Sequence, residues 1–288
     1  MQEIRLSVAL VTRNRPESLA RTLASLRAQA VQPWEVVISD DSDDQQAAAV
    51  RRIAETNDCQ YQVGPRRGLY ANRNQVALAC RGTHLRTMDD DHEFPPDHVR
   101  TCLAAIENDA RAVWIIGEFL PNQVRETPPE CPGQLQPRGF SMAPPDPDNC
   151  WAISDGAAIY PREIFDRGLR FTEAFRFGAP YLEFGSRLHF LGYRIRQLRS
   201  TYVIHHYEAS KRSLSDPQGE MAAEIFAMLC HSFVYQPTIT NKILSLGQIA
   251  LVMARSPAMA ASALRMAIRE YQAQRRDISV QSKATEIR

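Results

Sequence analysis

The sequence predicts an α/β fold, with a mostly parallel, Rossmann-like sheet flanked by helices and a helical extension at the C-terminus. Short apolar segments rich in branched residues alternate with helical segments over residues 1–120, as they do in βαβ units. Beyond Pro217 the hydrophobic pattern is helical throughout. At 288 residues, 44% of them hydrophobic, the chain can bury a large core.

The first strand is predicted over residues 4–11, an apolar run rich in branched side chains. Pro16 opens the following helix, in which Leu19, Leu23 and Leu26 recur at helical spacing. The same alternation predicts strands at 34–39, 60–63, 84–88 and 112–119, and helices at 47–55, 72–80 and 97–108. In such sheets the ligand binds at the carboxyl ends of the strands.

Residues 121–150 contain eight prolines and little periodicity, which favours a long functional or mobile loop. Order returns beyond this segment. Strands are predicted at 151–160, 194–198 and 202–205, and helices at 161–167, 181–191, 218–235, 239–255 and 257–276.

Composition excludes several classes of protein. The 34 basic and 33 acidic residues leave a net charge of +1, whereas a nucleic-acid-binding protein usually has a basic excess. The six cysteines are scattered without metal-finger spacing, so we expect reduced thiols and a cytoplasmic protein. The apolar run near the N-terminus has no signal-peptide pattern, and the run 243–254 is too short to span a membrane.

Polar clusters follow three of the predicted strands. They are Thr12-Arg13-Asn14-Arg15, Asp40-Asp41-Ser42-Asp43-Asp44 and Asp89-Asp90-Asp91-His92. Adjacent carboxylates repel one another unless a cation shares their charge, and hard divalent cations take oxygen ligands. Each acidic cluster has a simpler interpretation as a solvated turn that caps the next helix. Their convergence on the strand ends favours a binding site.

Three isolated features add to these clusters. Arg73 begins a helix and suits phosphate, although such arginines are usually solvated. His205 and His206 end a strand; a single histidine is usually a satisfied structural side chain, but a pair near a metal site suggests a ligand. Glu183 lies among apolar neighbours, where a raised pKa would suit base catalysis. Motifs for dinucleotides, P-loops, serine hydrolases and zincins are absent.

Five segments in order resemble family 2 glycosyltransferases with the GT-A fold. They are SVALVTRNRPESLARTLASL, WEVVISDDSDD, GLYANRNQVALACRGTHLRTMDDDH, RLHFLGYRI and VIHHYEAS. The resemblance covers residues 4 to about 212. It implies a catalytic domain at 1–212, with a nucleotide-binding half at 1–120 and an acceptor-side half at 121–212, followed by a helical extension at 213–288.

The resemblance also implies transfer of a sugar from a nucleotide-sugar donor, most simply a UDP-sugar, assisted by Mn²⁺ or Mg²⁺. Thr12, Asn14, Arg15, Asp41, Arg73, Asp89 and Asp90 would bind the donor, with Asp41 at the nucleoside and Asp89 at the ribose or sugar. Asp91 would ligate the metal, and His205 is placed to be a further ligand. A bound cation would offset the charge that develops on the diphosphate leaving group.

The sequence departs from the family pattern at two places. Arg13 stands where the family often has Tyr, and Pro180-Tyr181 replaces the usual acid pair that supplies the base of inverting members. Three explanations are open. The base is Glu183, the base is another acid such as Asp155, or the protein has impaired activity. The Glu183 hypothesis requires the helix to begin at about residue 182, so that Tyr181 stays in the preceding loop. A degenerate domain that binds nucleotide or glycan without turnover is the alternative.

The acceptor is open: a glycan, a lipid-linked molecule or a small molecule. The C-terminal helices have three open roles: packing on the catalytic domain, forming a homodimer, or making peripheral contact with a membrane. Residues 255–288 carry seven basic and three acidic residues, which suits either an interfacial helix or a solvated face. A nucleotidyltransferase is disfavoured because its Gly-rich loop with a catalytic Lys is missing.

Overall fold

A computed structural model describes residues 3–126, 129, 131–154, 156–207 and 216–286. Its first half alternates as predicted. The strands are β1 (Leu6–Thr12), β2 (Glu35–Asp40), β3 (Gln60–Val63), β4 (His84–Asp89), β5 (His92–Glu93) and β6 (Val113–Phe119). The helices are α1 (Pro16–Arg27), α2 (Asp44–Thr56), α3 (Leu69–Ala79) and α4 (His98–Asn108).

The second half begins with three short strands, β7 (Gln134–Leu135), β8 (Ser141–Met142) and β9 (Ala158–Pro161). The helices α5 (Glu163–Asp166) and α6 (Pro180–Phe190) precede β10 (Ile195–His205). Helix α7 (Pro217–Cys230) continues into a π-helix (His231–Tyr235), and α8 (Ile239–Arg255) and α9 (Pro257–Glu286) follow.

The main sheet has eight strands in the order β3-β2-β1-β4-β9-β6-β10-β5. Strands β1 to β4 pair in parallel, as do β6 and β10, while β9 and β5 are antiparallel to their neighbours. The predicted mostly parallel sheet flanked by helices is confirmed. The carboxyl ends of β1, β2, β4 and β6 therefore open on one edge of the sheet.

The buried side chains form three clusters. Alternate residues of β1 divide between the first two, since Leu10 packs on the side of α1 and α4 and Val11 on the side of α3 and α6. The third cluster joins α6 to α7, α8 and α9 through residues such as Leu182 and Phe226. The C-terminal helices thus extend the core of the sheet domain.

Several predicted boundaries are wrong. The predicted strand 151–160 is ordered as a strand only at β9, and the predicted helix 161–167 shortens to α5. The two predicted strands 194–198 and 202–205 are one strand, β10, whose pairing with β6 shifts register between Leu198 and Tyr202. Helix α6 begins at Pro180, so Tyr181 is already helical.

Two further observations concern the state of the cysteines and the length of the helices. All six cysteines lie in the described ranges, buried and with free thiols. Among the described helices, none has the length and apolar character that crossing a bilayer requires.

Candidate active site

A cleft of about 1160 Å³ lies at the carboxyl ends of the strands. Its walls come from all parts of the chain. The strand ends contribute Thr12, Asp41, Asp89, Asp90, Asp91 and Glu118, the middle of the chain Phe140, Ile153, Tyr181 and Leu182, and the last third His205, Tyr207, Glu220 and Glu224. The polar clusters that the sequence singled out therefore meet in one place.

The turns after β1 and β2 form one end of the cleft. The Asp41 N–H donates to the Thr12 carbonyl oxygen (3.0 Å), and the Arg66 N–H donates to the Asp41 carboxylate (2.8 Å). Burial raises the pKa of Asp41. A smaller cavity of about 140 Å³ adjoins this end and is lined by Arg13, Asp41, Arg66 and Arg176. Arg13 thus lies beside Asp41 at this end.

Asn14 is placed differently from the other predicted donor-binding residues. Its backbone is left-handed (φ 55°), and its side chain exchanges hydrogen bonds with Asp43, donating to the carboxylate and accepting from the N–H (both 2.9 Å). Asn14 is not among the described residues that line the cleft. It ties the turn after β1 to the turn after β2.

Arginines neutralise much of the charge of the aspartate triplet. The fully buried Arg73 places Nη2 2.9 Å from Asp89 Oδ1. Arg15 Nη1 lies 2.8 Å from Asp91 Oδ2 and 3.2 Å from Asp90 Oδ1. Burial raises the pKa of Asp90 to about 7, although the Thr12 hydroxyl also donates to it (2.7 Å). The triplet is thus a prearranged anionic surface with two built-in cationic partners.

Asp91, His92 and His205 form a cluster that can hold a metal ion. Their ligand atoms all lie within 4.8 Å of one another. The antiparallel pairing of β5 and β10 sets His92 opposite His205, which brings the ring centroids to 4.9 Å. His92 is fully buried, and neither of its ring nitrogens has a hydrogen-bond partner in the described part of the chain. Such an orphaned imidazole fits a metal ligand.

The electrostatics of the cluster favour a cation. His205 Nε2 lies 3.5 Å from Asp91 Oδ1, and His205 Nδ1 lies 3.0 Å from Glu118 Oε2. Burial disfavours the imidazolium, but the two carboxylates outweigh it and raise the pKa of His205 to about 10. Burial likewise opposes ionisation of Asp91, but His205, His92 and Arg15 outweigh it and lower its pKa. His206 instead pairs with Glu93 (2.6 Å).

Sequence reasoning places His92 in a polar cluster without giving it a ligand role, and it misses Glu118. The only sequence signal for His92 was its position directly after the aspartate triplet, and for Glu118 its position at the end of a strand. The pairing that joins His92 to His205 spans more than a hundred residues of sequence. A carboxylate with two imidazoles suits Mn²⁺ better than Mg²⁺, which prefers oxygen ligands.

Glu183 is placed away from the cleft. Because α6 begins at Pro180, the helix start near residue 182 that the Glu183 hypothesis requires is not found. Tyr181 and Leu182 line the cleft, whereas Glu183 is not among the described residues that do. It is fully buried, where it accepts a hydrogen bond from Tyr235 and lies 3.3 Å from Arg187 Nε. Burial raises the pKa of Glu183. Asp155 lies outside the described residues.

Two other acids, from helix α7, also line the cleft. Glu220 and Glu224 lie one turn apart on α7, so their side chains share a face of that helix. Burial and the nearby Glu220 raise the pKa of Glu224. The spacing in PQGEMAAE was the available signal, but acids at this spacing are usual on solvated helices.

Comparisons with known proteins agree with this geometry. The family described as glycosyl transferase family 2 matches residues 7–169, more than half of the chain. The sequence matches no curated protein at a significant level.

Solved structures share the fold. One is GalNAc-T7 with UDP, GalNAc and Mn²⁺ (TM-score 0.63, 17% identity, over 78% of this chain and 48% of that chain). Another is S. aureus TarS 1-349 in complex with UDP (TM-score 0.60, 16% identity, 88% and 73%), and a third is S. aureus TarS (TM-score 0.55, 18% identity, 93% and 54%). The chain thus spans about half of the GalNAc-T7 chain. With the family match, the resemblance drawn from the motifs is confirmed, and the chain belongs to glycosyl transferase family 2 with a GT-A fold.

Proposed function

We propose that this protein is a metal-assisted glycosyltransferase that moves a sugar from a UDP-sugar to a hydroxyl acceptor with inversion. The observation that carries the proposal is the Asp91-His92-His205 cluster, of which Asp91 and His205 line the same cleft as Asp41. Solved structures with the same fold contain UDP, and one contains Mn²⁺ as well. The six buried free thiols support a reducing compartment, the cytoplasm.

We assign the donor-binding roles from the family resemblance and from the position of each residue relative to the cleft. Asp41 accepts from the base of the nucleoside, with Thr12 beside it. Arg73 orients Asp89 toward the ribose or sugar, while Arg15 keeps Asp90 and Asp91 aligned. Asn14 acts indirectly, because it holds the turns together. Asp91, His92 and His205 would hold Mn²⁺ or Mg²⁺, which supplies Lewis-acid stabilisation of the departing diphosphate.

Inversion also requires a base on the acceptor side. We assign this role to Glu224, assisted by Glu220, instead of Glu183. Glu224 faces the cleft and has a raised pKa, whereas both carboxylate oxygens of Glu183 are engaged inside the protein. The base takes the proton of the acceptor hydroxyl as its oxygen attacks the anomeric carbon. The bond to the diphosphate breaks, and its electron pair leaves with UDP.

Kinetics of two matched variants test the base. Glu224→Gln should lower turnover about 10²-fold or more at unchanged donor affinity, because it removes the proton acceptor and keeps the side-chain shape. Glu183→Gln should leave the turnover of the folded fraction nearly normal. The reverse outcome would return the role to Glu183.

The second candidate function is binding of nucleotide or glycan without turnover. It is favoured by one observation, the replacement of the usual acid pair by Pro180-Tyr181. A panel of UDP-, GDP- and dTDP-sugars with Mn²⁺ separates the two functions. Release of free nucleotide or glycosylated product supports the transferase. Metal-dependent thermal stabilisation by UDP without any release supports the binding protein.

A further inference from the structure

Helix α8 presents an apolar face to solvent. Ile239 is 77% exposed, Ile243 64% and Leu246 54%, and Ala250 and Ala254 on the same face are also exposed. At about 100° per residue these five positions fall within about 80° of the helix circumference. The buried residues of α8, Ser245 and Ile249, lie about 140° and 100° from the centre of this stripe. The exposed stripe is therefore continuous along the helix.

One basic residue lies on each side of the stripe, at different distances from it. On the same helical wheel, Lys242 lies about 40° beyond Leu246, and Arg255 lies about 100° beyond Ala254. The chain has 33 acidic residues, yet the 45 residues between Glu224 and Glu270 contain no Asp or Glu and include Lys242, Arg255, Arg265 and Arg269. An anionic partner would meet no acidic side chain from this stretch of the sequence.

We propose that α8 docks the protein flat on an anionic lipid surface. A helix with an apolar stripe and basic residues on either side of it is the arrangement that lies in the headgroup region, where apolar side chains enter the bilayer and cations meet lipid phosphates. The long stems of Lys and Arg let their charges reach those phosphates from beside the stripe.

A second copy of the chain fits this face less well. Helix α8 has 17 residues and is about 25 Å long, so one face offers on the order of 250 Å². A stable interface needs about 800 Å² from each partner. A twofold contact would also bring the basic residues of two α8 helices together without acids to offset them.

The docking face is connected to the cleft. The Ser245 hydroxyl donates to the Pro137 carbonyl oxygen (2.7 Å), which ties α8 to the hairpin of β7 and β8. The tip of that hairpin carries Phe140, which lines the cleft and is half-exposed. A surface-bound protein would thus hold one wall of its cleft close to the lipid.

A single-cysteine label tests the proposal. Because all six native cysteines are buried, Leu246→Cys and, as the control, Leu78→Cys on the exposed face of α3 can each be labelled with an environment-sensitive fluorophore. We expect a blue shift at residue 246 with vesicles of phosphatidylcholine mixed with phosphatidylglycerol, which added salt weakens. We expect little shift with phosphatidylcholine alone, and none at residue 78.

Cosedimentation of unlabelled variants gives a second readout. Ile243→Glu with Leu246→Glu should lower vesicle affinity about tenfold or more, and Arg255→Gln about fivefold. Absence of vesicle binding, or equal binding by Ile243→Glu with Leu246→Glu, would overturn the proposal. So would a lipid-free dimer, seen by light scattering, that these two glutamates dissociate. The assay contains no metal or nucleotide, so its result is independent of the proposed enzyme activity.

Discussion

Two buried acidic clusters of this molecule differ in how completely their polar atoms are paired. At the end of β4, Asp90 and Asp91 bond Arg15, yet the adjacent imidazole of His92 has no hydrogen-bond partner among the described residues, and its nearest charge is Glu118 at 3.7 Å. On α6, Glu183 bonds Arg187 and Tyr235, and both of its oxygens are engaged. The first cluster opens into the cleft, whereas the second lies where α6 meets the C-terminal helices.

The difference separates a binding site from a structural anchor. Burying an unpartnered polar group costs free energy, so a fold that keeps one has a use for it or fills it with a ligand. A carboxylate whose two oxygens are both bonded inside the protein, as in Glu183, stabilises only the arrangement it already has. By this criterion we assign Asp91 and its histidines to the proposed site, and Glu183 holds α6 against the π-helix.

Removal of the Asp91 carboxylate should give the largest change, a loss of metal-dependent nucleotide affinity. Asp91→Ala deletes the carboxylate of the proposed metal cluster, so the part of UDP affinity that depends on Mn²⁺ should fall about a hundredfold or more. Titration calorimetry with and without Mn²⁺ measures it. Glu93→Gln is the control, because Glu93 pairs with His206 outside the cluster. UDP affinity that ignores both the metal and Asp91→Ala would refute the metal site.

Loss of the Glu183 charge should instead lower the free energy of unfolding. Glu183→Gln leaves Arg187 buried without its counter-charge, and breaking such a pair costs about 3 kcal/mol of unfolding free energy. Urea denaturation measures this, with Glu107→Gln on the exposed face of α4 as the control. If Glu183→Gln were as stable as the unmodified protein, Glu183 would not be an anchor.

His231 makes the anchor region sensitive to acid. Burial lowers its pKa to about 4, so the unfolded chain binds a proton more readily than the folded one. Its contribution to stability is therefore present above pH 6.5 and is lost as the pH falls toward 4. From pH 7 to pH 5 His231 alone should contribute a loss of about 2 kcal/mol of unfolding free energy, and His231→Phe should reduce the total loss by that amount. Denaturation at several pH values checks it, and an unchanged pH dependence in His231→Phe would exclude this residue.

Replacement of a glycine near Asp89 should give the smallest change, a modest loss of donor affinity. Gly156 has φ +68°, and a Cβ there would overlap the Asp89 carboxylate. Gly156→Ala should therefore displace Asp89 from Arg73 and weaken UDP-sugar affinity about tenfold, by roughly 1.4 kcal/mol. Gly168→Ala is the control, because its φ is also positive and a Cβ there meets no other atom within 4 Å. Equal affinities in both variants would show that Asp89 is not held by this contact.

The sequence predicts local features better than contacts between distant segments. Periodicity placed β1 to β4 and their helices, and it placed Asp41 and Asp91 at strand ends. It did not give β5, which has two residues and exists only because β10 pairs with it, and the ligand role of His92 was missed with it. The apolar neighbours of Glu183 in the sequence suggest a base with a raised pKa, but such neighbours are equally typical of a buried structural carboxylate. Only the packing of α6 against Tyr235 separates these interpretations.

The π-helix sets the rotation of Tyr235 relative to helix α7. The Gln236 N–H donates to the His231 carbonyl oxygen (2.7 Å), a bond that reaches one residue further than in an α-helix. One extra residue in such a turn rotates everything before it by about 100° relative to everything after it. Tyr235 meets Glu183 only in the present rotation. Deletion of one residue from 231–235 would turn Tyr235 away from Glu183, so the length of this turn decides whether the two side chains meet.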